Sequence, residues 1–134
     1  MKQVKIKILT TQTVDGESET IKTKTTGTME ATAEAYIIRY SLTHQEGHTT
    51  QTTLRVDRSS PKAAMEHTGR MVIEEGVTHT SPYRMGPYEM ELEVTGIQVI
   101  CRLQPEGGSV KLQYALAFNG VPASENTVEL FIQS

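Results

Sequence analysis

Histidines, glutamates and one cysteine are the residues here whose chemistry could go beyond packing. His44 and His48 are spaced as a helix would space two imidazoles on one metal ion. They flank Gly47 in a polar stretch that reads as a turn, where the spacing loses its meaning, and no carboxylate or cysteine cluster completes a ligand set. A solvated loop without metal is expected. His67 and His79 fall on separate segments, and neither brings a partner to position it as a base. Glu89, Glu91 and Glu93 suggest the paired carboxylates of glycoside hydrolysis, but they share one face with nothing to raise a pKa. They read as a solvated surface. Cys101 is in phase with Val99 and Leu103 and reads as a buried apolar thiol, not a nucleophile. Gly107-Gly108 has no following helix or lysine, so it is a turn and not a phosphate loop. No catalysis and no cofactor are expected.

The tyrosines have more to offer a ligand. Tyr36, Tyr40, Tyr88 and Tyr114 fall in phase with aliphatic residues, so each brings an apolar ring and a hydroxyl toward the interior. A buried phenol needs a partner, and an apolar pocket oriented by a few polar groups is the usual design of a small-molecule site. With Tyr83 and Met85 they make a candidate ligand-binding set: Tyr36, Tyr40, Tyr83, Met85, Tyr88 and Tyr114. The plainer alternative is that the side chains fill the interior, as in many small barrels. Arg39 and Arg102 fall on the outward phase, so no inward arginine–tyrosine clamp for a carboxylate can be drawn.

These side chains need strands to position them. Tyr88, Met90, Leu92 and Val94 alternate with Glu89, Glu91 and Glu93, the pattern of an antiparallel strand buried on one side and wet on the other. Val4, Ile6 and Ile8 alternate with Lys5 and Lys7 in a first strand running to about Thr13, and Val14-Asp15-Gly16-Glu17 is a turn. Glu19–Met29 is a Thr-rich strand. Met29–Ala35 has helix-forming composition but is too short to stand alone, and reads as strand end plus turn. Tyr36–Leu42 is a third strand, and a Thr-rich strand follows the turn at 44–48 through Leu54 and Val56.

Ser59–Gly69 supports two readings. Its serine cap, Pro61 at the first helical position and terminal glycine fit a short helix, whereas the flanking strands favour another strand. Met71–Glu75 and Val77–Ser81 flank Gly76 like a hairpin. Pro82 and Gly86-Pro87 break the chain before the glutamate-faced strand, and Gly96 separates that strand from Ile97–Leu103. Pro105–Gly108 is a hairpin turn. Val110, Leu112, Tyr114, Leu116 and Phe118 form the longest alternating apolar face, Asn119-Gly120 marks its turn, and Val128, Leu130 and Ile132 finish the chain. About ten strands without a long helix predict an all-β, antiparallel up-and-down barrel of about eight to ten strands, closed by pairing the first strand with the last.

A length of 134 residues fits one domain over 1–134, and a net charge of −3 gives no electrostatic footprint for nucleic acid or an anionic membrane. The lysines are dispersed along the chain. No apolar run approaches the roughly 20 residues of a membrane helix, and Met1–Lys7 reads as a strand rather than a signal peptide. Cys101 alone cannot form an internal disulfide, which fits a reducing cytoplasm.

An ordered set of residues carries a resemblance from end to end: Asp15-Gly16, Thr25-Thr26-Gly27, Tyr36 and Tyr40, Ile73-x-x-Gly76, Tyr83-Arg84-Met85, Glu89, Leu92, Gly108, Tyr114 and Asn126. The chain resembles the YwiB-like family of uncharacterised bacterial proteins. The resemblance implies a lipocalin-like (calycin) β-barrel and supplies no catalytic residues, since that family carries no established activity. Two functions compete on this reading. One is a binding module for a small, mostly apolar molecule in the barrel mouth. The other is an interaction protein whose filled barrel supports a homodimer or partner surface. Neither nucleic acid nor membrane is expected as a partner.

Overall fold

Asp15 and Gly16 take φ of 51° and 80°, and Asn119 and Gly120 take 50° and 81°. Both pairs are two-residue turns with positive φ at each position, the geometry whose twist matches that of the strands they join. The computed structural model describes residues 2–43, 47–66 and 70–134. It forms β1 (Lys2–Val14), β2 (Glu17–Ala31), β3 (Ala35–Thr43), β4 (Thr49–Asp57), β5 (Lys62–Glu66), β6 (Arg70–Glu74), β7 (Thr78–Met85), β8 (Tyr88–Gln104), β9 (Gly107–Phe118) and β10 (Val121–Gln133). They make one antiparallel sheet in the order β6-β5-β4-β3-β2-β1-β10-β9-β8-β7, rolled into a nearly closed barrel. Among the described residues no helix is long and apolar enough to cross a membrane.

The first and last strands pair as expected, from Lys5 opposite Gln133 to Thr13 opposite Glu125. Val4, Ile6 and Ile8 meet Leu130 and Ile132 inside, where Ile38, Leu54, Val56, Ile73, Leu112 and Leu130 are fully buried. Lys62–Glu66 is strand, not helix: Leu54 pairs Met65 on one side and Ala63 pairs Ile73 on the other. Two ladders satisfy more backbone groups than so short a helix could. His67, Thr68 and Gly69 lie outside the described residues, as do His44, Gln45 and Glu46 of the expected polar turn.

Three local readings need correction. The hairpin expected about Gly76 does not form, because β6 and β7 are the two ends of the sheet. Gly76, at φ 78°, turns the chain onto β8 instead. The Gly76 amide donates to the Gly96 carbonyl (2.9 Å) and the Gly96 amide to the Val77 carbonyl (3.1 Å), beside a parallel bridge from Glu75 to Gly96. This corner is the seam of the barrel. Gly96 in turn does not end a strand. It begins a bulge, with a register shift between Gly96 and Gln98, inside a continuous β8. Ile97 is the extra residue, and the insertion exchanges inner and outer parity, so Val94 and Val99 are both buried. Pro82 likewise sits inside β7, opposite Glu91, which an edge strand tolerates.

Candidate functional site in the barrel mouth

Alternation along β3 and β9 delivers Tyr36, Tyr40 and Tyr114 to the interior, each at least nine-tenths buried. Tyr40 stands between Gly27 and Thr52 on neighbouring strands, and Tyr114 between Gly96 and Asn126. Each ring therefore has a glycine on one flank and a polar side chain on the other. Thr52 and Asn126 are the buried polar side chains among the described residues. Both stand where alternation toward Leu54 and Val56, or Val128 and Leu130, calls for an apolar residue, and that is the signal by which the sequence could have revealed them.

The two phenols feel one another. Burial pushes the Tyr114 phenol up to about 12, and charge on the nearby Tyr40 adds to the shift. Burial also raises Tyr40, against a smaller lowering by the Thr52 side chain. Both are therefore neutral hydrogen-bonding groups at ordinary pH. Asn126 donates through Nδ2 to the Ser124 Oγ at 3.0 Å, which orients the carboxamide. Among the described residues, neither the Tyr114 hydroxyl nor the Asn126 carboxamide oxygen makes a hydrogen bond to the protein. Because no buried side-chain polar atom among them is left without a partner, both are open to solvent. The two residues stand directly opposite one another on β9 and β10, and each brings hydrogen-bonding capacity that the protein does not use.

The other expected site residues go elsewhere. Tyr36 lies toward the opposite end of β3, where the Arg58 guanidinium sits 4.9 Å from its ring centroid. Arg58 also donates through Nη1 to the Thr32 carbonyl (2.8 Å), so it plugs that end. Tyr83 is 38% exposed and packs its ring against Phe118, with centroids 5.5 Å apart. Tyr88 is 72% exposed, although its phase along β8 is the expected inner one. The reason is that the β9 ladder stops at Leu92 opposite Phe118 and Glu91 is held only by the Asn119 turn, so Tyr88–Met90 pair with β7 alone and project past the barrel. Met85 ends β7, and its side chain lies outside the described set. The six residues thus do not form one site: Tyr40 and Tyr114 come together, Tyr36 closes the far end, and the rest belong to the projecting hairpin.

The sequence profile of a domain of unknown function (DUF1934) matches residues 6–130. The chain belongs to that family. The crystal structure of the ywiB protein from Bacillus subtilis is similar to this barrel at a TM-score of 0.82 and 18% identity, covering 99% of this chain and 92% of that one. At that identity the likeness establishes the fold, a calycin-like barrel, and nothing of its use. No curated protein matches the chain. The YwiB-like resemblance read from the residues is thereby shown, and the family brings a barrel with no assigned activity.

Proposed function

We propose that the protein is a non-enzymatic binding module for a small, mostly apolar and uncharged molecule, held in the barrel mouth by Tyr114 and Asn126. One observation carries this: Tyr114 is 7% exposed, and its hydroxyl makes no hydrogen bond to the described residues. Yet no buried side-chain polar atom among them lacks a partner, so the hydroxyl tip of a buried ring is open to a molecule from outside. A ligand hydroxyl or amide can take the place of water on that hydroxyl, while the buried ring around it offers apolar contact. The buried polar neighbours Thr52 and Asn126 are neutral, which favours an uncharged head group. The packed layer of Ile38, Leu54, Leu112 and Leu130 limits the molecule to the mouth. A lone cysteine with a free thiol suits a cytoplasmic setting.

A thermal-shift screen of long-chain alcohols, fatty amides and aromatic alcohols tests the reading on the wild type and Tyr114→Phe. A ligand at about 100 times its dissociation constant adds roughly 2.7 kcal/mol to the native state, so a true ligand raises the melting point visibly and the variant loses most of the rise. No shift across the screen, together with no co-purified molecule in native mass spectrometry, would refute it. That result would favour the second reading, an interaction barrel, which rests on the filled interior and the exposed Tyr88 at the hairpin tip.

A further inference from the structure

The outer wall of β2-β1-β10-β9-β8 segregates charge in a way the net charge of −3 conceals. Register brings together lysines that are dispersed in sequence. Lys24, Lys7, Phe131, Ser109 and Arg102 form one row across the five strands. The next row carries Lys22, Leu9, Glu129, Lys111 and Ile100. With Lys5 one step along β1, six of the chain's 13 lysines and arginines meet one acidic side chain in these rows. Lys7 stands directly opposite Lys24, an arrangement that destabilises a sheet. None of the six has an ion-pair partner among the described residues.

Phe131 sits in the middle of this field, 43% exposed. On β9 it stands opposite Ser109, with Gly107 and Lys111 as its diagonal neighbours on the same face, so the side toward Gly107 is left uncovered. Lys5, Lys7, Lys24, Gly108 and Phe131 line a shallow concavity in the wall. We infer that this wall binds single-stranded nucleic acid, its phosphates on Lys5, Lys7, Lys22 and Lys24 and a base stacked on Phe131. Cations flanking an open aromatic on a sheet face are what such a strand requires, because every base offers a π-face and every nucleotide a charge. A bilayer would demand more apolar anchors than one phenylalanine and would not follow a concavity. An acidic peptide would satisfy the lysines and leave the exposed ring unused.

Fluorescence anisotropy of labelled single-stranded DNA and RNA of about 12 nucleotides, a length within the usual site size, tests this across a salt series. The wild type should bind saturably. Lys7→Gln/Lys24→Gln should weaken binding and flatten the log–log salt dependence by about 1.4, two lost contacts at roughly 0.7 each on a single strand. Phe131→Ala should weaken it roughly fivefold or more through lost stacking, with the salt slope unchanged. Tyr114→Phe should bind nucleic acid like the wild type, which separates this wall from the barrel mouth. No saturable binding, equal binding by the lysine and phenylalanine variants, or tighter capture by anionic vesicles or polyglutamate would overturn the inference. Melting curves confirm that each variant is folded.

Discussion

The backbone of Glu74 occupies the space that a side chain on Gly96 would need. β6 can cross β8 so closely only because Gly96 carries no Cβ, and the seam of the barrel depends on that contact. Gly96→Ala should destabilise the protein by about 1–3 kcal/mol, the range for forcing extra atoms into a packed site. Gly16→Ala tests a different cause: nothing lies within 4 Å of its added Cβ, but its φ is +80°. The cost there should be about 1–2 kcal/mol, from the left-handed conformation alone. Urea midpoints of both variants decide it, and a stable Gly96→Ala would mean that the seam is loose.

Leu112, fully buried at the centre of β9, should be structural. Leu112→Ala should cost roughly 2–5 kcal/mol, the range for a buried leucine that leaves a cavity. Its outward neighbour Lys111 should lose less than about 0.5 kcal/mol on truncation. Equal losses in denaturant would contradict the observed phase of the strand.

Alkaline pH should report the buried phenols. Tyr114 is pushed up to about 12 from an ordinary 10.0, so the native state keeps a proton that the unfolded chain releases first. The resulting stability is complete below pH 10 and is lost as pH rises toward 12, with a slope of up to roughly 1.4 kcal/mol per pH unit for one proton. Tyr40 shifts the same way. Tyr114→Phe should therefore flatten the loss of stability above pH 10, and at neutral pH should leave the free protein within about 0.5 kcal/mol of the wild type. A marked destabilisation at neutral pH would show the hydroxyl to be satisfied by the protein itself.

Charge reversal should relieve the lysine wall. Lys24→Glu places a carboxylate directly opposite Lys7 in place of a like charge. The melting point should rise by an amount equivalent to roughly 0.2–1 kcal/mol at low salt, and the gain should shrink as salt is added. A fall in melting point at low salt would contradict the cross-strand repulsion.

The sequence reveals faces better than partners. Alternation in Val4–Ile8, Tyr36–Leu42 and Val110–Phe118 places inner and outer residues correctly because side-chain direction is a local property of a strand. Which strand lies alongside is not local. Gly76 announces a reversal, yet the reversal leads onto Gly96 of β8, twenty residues away, where a glycine makes room for it. Tyr88 has the inner phase but no inside to face, because the length of β9 decides where the wall ends. Likewise Tyr40 and Tyr114 could be read as inward, but their meeting, and the company of Thr52 and Asn126, depends on register across several ladders. The lysine wall was invisible for the same reason: Lys5 and Lys7 meet Lys22 and Lys24 only through the pairing of β1 with β2.

Because β1 lies beside β10, the break in the chain falls in the middle of the sheet, and the break in the sheet falls in the middle of the chain. During synthesis β1 and β2 can form their hairpin early, but the other edge of β1 has no partner until β10 has been made. An open edge of that length is a template for pairing with another chain. Closure thus waits on strands far apart in sequence, and a long-range pairing of this kind slows folding. The charged and threonine-rich outer residues of β1 keep that waiting rim soluble.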